Sequence, residues 1–123
     1  MWFVMTALRL ISLPLHGALE MLVGFFVMAA PVALGLSPAA AVAGVVVGAL
    51  IVGLSLSSTG AESDGRHTLS VASHHAFDYG LVTGMLGGAA ILGLAGDRAA
   101  AVLFAAAALA QLALNLTTRY SQR

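Results

Sequence analysis

The sequence predicts an all-α membrane fold: a four-helix bundle made of two duplicated transmembrane helical hairpins, preceded by an N-terminal interfacial helix. Three observations carry this. Of the 123 residues, 60% are hydrophobic and only 8% charged, with a mean hydropathy of +1.00. A soluble chain of that size would lack the polar surface to cover itself, so the lipid bilayer is its expected solvent and first partner. Four apolar runs, each near the roughly 20 residues a helix needs to cross the hydrocarbon core, are separated by short polar breaks. Finally, polar residues of one half recur in the other at a constant offset of 58 positions.

The elements follow in order. Residues 1–14 form an interfacial segment: Trp2 and Phe3 suit the headgroup region, Arg9 faces water, and Pro14 interrupts the segment before the first run. The first hairpin is expected over 15–57, with runs from about Leu15 to Leu36 and Ala39 to Leu56 joined by "GLSPAA". Residues 58–73 read as a solvated linker containing Glu62, Asp64 and Arg66. The second hairpin covers 74–117, with runs from His74 to Leu94 and Ala99 to Thr117 joined by "AGDR", and 118–123 form a tail. The runs lack the alternation of barrel strands, which leaves helices as the spanning element. An even number of spans puts Arg9, Arg66, Arg119 and Arg123 on one side and Arg98 alone on the other. The positive-inside rule then makes both termini cytoplasmic, in what is expected to be a bacterial plasma membrane.

The offset of 58 brings Ser12 onto Ser70, His16 onto His74, Glu20 onto Asp78 and the "LGL" at 34–36 onto the "LGL" at 92–94. Ala41, Ala43, Ala49, Leu54 and Leu56 also meet identical residues. Two tandem hairpins of like orientation would be related by a pseudo-two-fold axis along the membrane normal. Ser12, His16 and Glu20 are four apart, as are Ser70, His74 and Asp78, so each set forms one stripe on a helix face. His75 has Gly17 as its counterpart and is expected to face elsewhere. Gln111 and Asn115, again four apart, lie at the same depth on the last span, with Ser55, Ser57 and Tyr79 near that level. A carboxylate one turn inside a membrane must be paired, hydrated or protonated. A polar cluster at the cytoplasmic mouth of the bundle is therefore the candidate site.

Three functions compete for that cluster. It can tie the hairpins together through hydrogen bonds, as in a non-catalytic accessory or scaffold subunit of a membrane complex. It can hold a divalent metal such as zinc, with His16, Glu20, His74 and Asp78 as ligands and Ser12, Ser70, Gln111 and Asn115 behind them. Or it can handle protons, histidine and embedded carboxylates being suited to relay, although "GFFVMAAPVALGL" and "GMLGGAAILGL" offer no path through the other half. Haem held by His16 and His74 is a lesser variant of the metal case. A Ser70–His74–Asp78 triad is disfavoured because four-residue helical spacing stacks the groups without an oxyanion hole, so enzymatic activity is not expected. Absence of cysteine excludes thiolate and iron–sulfur chemistry, and a net charge of zero excludes a nucleic-acid partner.

Small residues supply packing faces. "GVVVG" at 44–48 is a Gly-x-x-x-Gly motif suited to an interface within the bundle or between copies, and a homo-oligomer or a membrane-complex partner is expected. Pro31 should kink the first span, with Ala89 opposite it in the repeat. The stretch "LVGFFVMAAPVALGLSPAAAVAGVVVGALIVGLSL" resembles the SPW-repeat membrane proteins, small bacterial proteins of paired transmembrane helices with a proline before a Leu-Gly, here Pro31 before Leu34 and Gly35. Ala30 and Val32 stand where that family has Ser and Trp, and the second hairpin lacks the proline. The resemblance implies a two-hairpin membrane fold and no defined activity.

Overall fold

The computed structural model describes residues 10–64 and 70–119. Among the described residues there are four helices: α1 (Leu13–Ala33), α2 (Pro38–Asp64), α3 (Val71–Leu94) and α4 (Arg98–Thr117). Each has a stretch long and apolar enough to cross a membrane. α1 packs along α2 and α3 along α4, and the two hairpins meet more sparingly through α1 on α4 and α2 on α3. The all-α bundle of two hairpins expected from the apolar runs is the observed architecture.

Cap chemistry sets the helix boundaries. Ser12 caps α1 by accepting from Leu15 N at 3.3 Å, and Ser70 caps α3 by accepting from Ser73 N at 3.1 Å. Pro14 lies in the first turn of α1, where its missing N–H has no intrahelical partner to lose. Leu13 and Pro14 thus belong to the helix, whereas Trp2, Phe3 and Arg9 of the expected interfacial segment lie outside the described residues. α1 ends in a Schellman motif, with Gly35 at φ +64°, Gly35 N donating to Val32 O and Leu36 N donating to Pro31 O. α3 ends in the same way on Gly96, at φ +94°. The linker expected over 58–73 is shorter in backbone terms, because α2 continues to Asp64 and α3 starts at Val71.

The constant offset of 58 fails beyond the first helix of each hairpin. α3 has 24 residues against 21 in α1, while its connection to the next helix is one residue shorter. The capping residues of the second helices, Ser37 and Asp97, are therefore 60 apart. Buried positions follow the same shift: Ala40 with Ala100, Gly44 with Phe104, Gly48 with Ala108 and Ser55 with Asn115. The two "LGL" segments are not equivalent, since Gly35 makes the left-handed turn while Gly93 is still helical.

The Gly-x-x-x-Gly motif works inside the first hairpin. A Cβ on Gly44 would lie 2.6 Å from Val27 O and 2.7 Å from the Pro31 ring, and one on Gly48 would lie 2.6 Å from Gly24 O. Those backbone contacts bring α1 and α2 close together and seat the buried Pro31 against α2. In the second hairpin Phe104 occupies the position of Gly44 and is almost fully buried, so that pair is spaced by a ring instead. Val27, Ile51, Met85 and Phe104 form the middle of the core.

At the interhelical-turn end, the two hairpins are joined through their caps. Asp97 accepts from Ala100 N at 3.0 Å as the cap of α4, and also accepts from Ser37 N at 3.3 Å and from the Ser37 hydroxyl. Ser37 in turn accepts from Ala40 N at 3.2 Å at the start of α2. The Ser37 hydroxyl, with help from the backbone N–H groups, holds the Asp97 carboxyl below its ordinary value of 3.8. A lowered folded-state value means that this contribution to stability is complete above 3.8 and disappears as the pH falls through the folded-state value.

Gly48→Ala should lower stability by about 1–3 kcal/mol through overpacking against backbone. Gly84→Ala, whose Cβ would meet nothing within 4 Å, should be neutral or slightly stabilising, because alanine is the better helix former. Thermal unfolding in detergent measures both. In the same assay, the difference between wild type and Asp97→Asn should shrink on acidification below pH 3.8.

Candidate metal centre

The first two turns of α1 and α3 each project one imidazole and one carboxylate onto the seam between the hairpins. His16 and Glu20 come from α1, His74 and Asp78 from α3, and all four are buried. Their order around the centre alternates. His16 Nε2 lies 3.0 Å from Glu20 Oε2 and 3.0 Å from Asp78 Oδ2, while His74 Nε2 lies 3.3 Å from Glu20 Oε1 and 3.3 Å from Asp78 Oδ1. One potential ligand atom from each residue falls within 4.8 Å of all the others. The equivalence of the two stripes put matching chemistry on two helices, and the fold brings both stripes to one point.

The geometry differs from that of a simple hydrogen-bonded ring. His74 Nε2 and Glu20 Oε1 are 3.3 Å apart, yet neither meets the angular conditions of a hydrogen bond with any group. Atoms that converge on a shared centre, rather than point at one another, have this property. Ligands around a tetrahedral zinc at bond lengths of about 2.0–2.2 Å are separated by about 3.3–3.5 Å. The four imidazole–carboxylate distances, at 3.0–3.3 Å, lie just inside that spacing but draw on both oxygens of Glu20 and of Asp78, so that each carboxylate bridges the two imidazoles, and one potential ligand atom per residue falls within 4.8 Å of the others.

α4 supplies the surrounding hydrogen bonds. Gln111 Nε2 donates to Glu20 Oε2 at 2.9 Å and to Asn115 Oδ1 at 3.0 Å. Thr118 Oγ1 lies 2.7 Å from His16 Nδ1 and donates its single proton to Leu114 O at 2.6 Å. Thr118 must therefore accept from His16, which puts a proton on Nδ1. In the neutral ring, Nε2 then presents a lone pair to the two carboxylates 3.0 Å away, an arrangement that requires a cation or an additional proton between them. Backbone pairing keeps Thr118 in place: Ile11 N donates to Thr117 O and Arg119 N donates to Ile11 O, both at 2.9 Å. On the other side, the Ser55 hydroxyl donates to Gly17 O at 2.5 Å and fastens α2 to the first turn of α1.

The expected ligands are thus assembled, and so are Gln111 and Asn115 behind them. Ser12 and Ser70 are not part of that support. Their hydroxyls are engaged as helix caps in the first turns of their own helices, and Ser70 also donates to Ser73 Oγ at 3.0 Å. Thr118, assigned to the tail, was missed, although Gln111, Asn115 and Thr118 fall at helical spacings of four and three on one face of an apolar span. His75 faces away from the centre and stacks near Tyr79, with ring centroids 5.1 Å apart. A porphyrin does not fit between His16 and His74, because Glu20 and Asp78 occupy the space its plane would need. No protein-family model, curated protein or solved structure matches the chain.

Thr118→Val leaves the buried His16 Nδ1–H without its acceptor and should cost about 1–3 kcal/mol. Thr118→Ser should recover most of that loss. Equal melting temperatures for wild type and Thr118→Val in detergent would contradict this role.

Proposed function

We propose that this is an integral membrane protein that binds one divalent first-row metal ion, with zinc the best fit, and uses it to tie two transmembrane hairpins together. His16, Glu20, His74 and Asp78 are the ligands, with Gln111, Asn115 and Thr118 orienting them. The observation that carries the proposal is the convergence of two imidazole nitrogens and two carboxylates, two groups from each hairpin, within 4.8 Å of one another in a buried site.

Charge balance supports it. Two carboxylates and two neutral imidazoles carry a charge of −2, which a divalent ion cancels within a low-dielectric bundle. The donor set also discriminates. Calcium takes six to eight oxygen ligands and magnesium keeps a near-octahedral oxygen shell, whereas two nitrogens and two oxygens in a closed tetrahedron suit zinc. A closed set of four protein ligands favours a structural ion over a catalytic one, which keeps an open position. The apolar core formed by Val27, Ile51, Met85 and Phe104 offers no onward ligands, so transport across the bundle is not part of the proposal.

By the positive-inside count the centre lies near the cytoplasmic face, in a bacterial plasma membrane, and kinship with SPW-repeat proteins is proposed for the hairpin fold alone. The second reading is an accessory or scaffold subunit in which the cluster serves only helix association. The His16–Glu20 and Gln111–Glu20 hydrogen bonds favour it.

Elemental analysis of detergent-purified protein separates the two. The metal reading expects close to one ion per chain, lost in a His16→Ala/His74→Ala double variant. It also expects added zinc to raise the stability of stripped protein, by about 2.7 kcal/mol at a hundredfold excess over Kd. Metal-free protein whose melting temperature is indifferent to zinc and chelator would leave only the association reading.

A further inference from the structure

The metal reading makes the four ligands equal in chemistry, but they are unequal in how they are held. His16 is fully buried, and its Nδ1 is anchored on Thr118, which is itself anchored on Leu114 O and by the backbone pairing of Ile11 with Thr117 and Arg119. Glu20 is fully buried and is gripped by Gln111. His74 differs on both counts. Neither of its ring nitrogens has a hydrogen-bond partner among the described residues, and at 3% its side chain is the only one of the four with any solvent exposure.

The surroundings of α3 share this looseness. His74 is four residues from the exposed cap Ser70, at the end of the bundle where Ile11 pairs with Thr117 and Arg119. Along its α2 side, α3 borders a groove of about 560 Å³, lined among others by Leu54, Phe77, Gly80, Gly84 and Met85. A Cβ on Gly80 or Gly84 would meet nothing within 4 Å. The wall bearing His74 therefore has room to shift, whereas the wall bearing His16 is bonded in place. The other end of the bundle is closed by apolar core and by the Ser37–Asp97 pairing.

We infer that His74 is the exchangeable ligand: the ion reaches and leaves the centre only from the end where α3 begins, past the His74 imidazole, while His16 and Glu20 remain as a fixed half-site. This rests on the metal reading. It adds a direction and an order to loading: the ion meets the fixed pair, and His74 closes over it.

Two measurements test the inference. In metal-stripped wild-type protein, deuterium exchange at the imidazole C2 position, read by mass spectrometry, should be at least about tenfold faster for His74 than for His16, as expected where local opening is confined to one wall. Equal rates, or a faster His16, would overturn the inference without any variant having to fold. In the second measurement, Co²⁺ serves as a visible probe with His74→Gly and His16→Gly, each checked for helicity. Added imidazole should restore the tetrahedral Co²⁺ spectrum in His74→Gly, where the vacated space opens toward solution, and not in His16→Gly. Rescue of both variants, of His16→Gly alone, or of neither sinks the exchange route. Wild-type protein that takes up no Co²⁺ or Zn²⁺ fails at the metal reading itself, a result distinct from wild type that binds the ion but shows equal histidine exchange.

Discussion

Two carboxylates facing two imidazoles across the hairpin seam constrain everything around them. Glu20 and Asp78 are fully buried in helices apolar enough to cross a membrane, where an uncompensated charge is far costlier than in water. Each hairpin contributes one acid and one imidazole to the centre, so neither alone gives its carboxylate two imidazole neighbours there. Bringing the hairpins together gives each carboxylate both imidazoles, at 3.0 and 3.3 Å. The requirement also fixes register: a one-residue rotation of α3 would turn Asp78 toward a neighbouring helix or lipid and leave Glu20 beside His16 alone. Hydrophobic burial cannot supply this specificity, because lipid is as good a solvent for Leu and Val as the bundle interior.

The rest of the fold can be understood as support for that register at two levels. At the end where α1 and α3 begin, Gln111 and Thr118 place hydrogen bonds from α4 onto Glu20 and His16, and Ser55 holds the first turn of α1 from α2. At the opposite end, Ser37 and Asp97 join the starts of α2 and α4, so one carboxylate serves two helix termini. Between these levels the first hairpin is held by glycine contacts that bring backbones together, and the second by the buried ring of Phe104. The apolar core shared by the hairpins, with Val27, Ile51, Met85 and Phe104, is non-directional, so the polar groups at the two ends are their specific connections.

Much of this was legible in the residues, for reasons that differ between features. The four spans follow from local composition and length, which the bilayer imposes directly. The His/carboxylate stripes follow from the helical repeat, since residues four apart share a face. Whether the stripes face each other is a tertiary question, and spacing within one helix cannot answer it. Thr118 escaped notice because its role depends on the end of α4 being paired to Ile11, a contact between opposite ends of the chain. The offset of 58 held where caps are serines at corresponding places and failed after α3, because a longer helix and a shorter turn add two residues there. The "LGL" identity reflects composition, since the glycine that turns the chain in the second hairpin is Gly96. The Gly-x-x-x-Gly motif could signal either an internal or an external interface, and only the approach of Val27 O and Gly24 O to Gly44 and Gly48 decides for the internal one.

The unequal anchoring of the two histidines bears on what kind of centre this can be. A purely static strut is best served by equal support for every ligand, as oriented imidazoles on both sides lower the cost of assembling the site. Here Thr118 orients His16, while His74, whose Nε2 lies 3.3 Å from each carboxylate, has no hydrogen-bond partner on Nδ1 among the described residues. On the proposed metal reading, such a site would retain half its geometry when the ion is absent and complete it only when His74 closes. Because His74 and Asp78 are carried by the other hairpin, completing the proposed coordination shell would also draw the hairpins together. The inter-hairpin groove beside α3 would give that proposed movement its room, and its glycines, where an added Cβ would meet nothing within 4 Å, leave the space open.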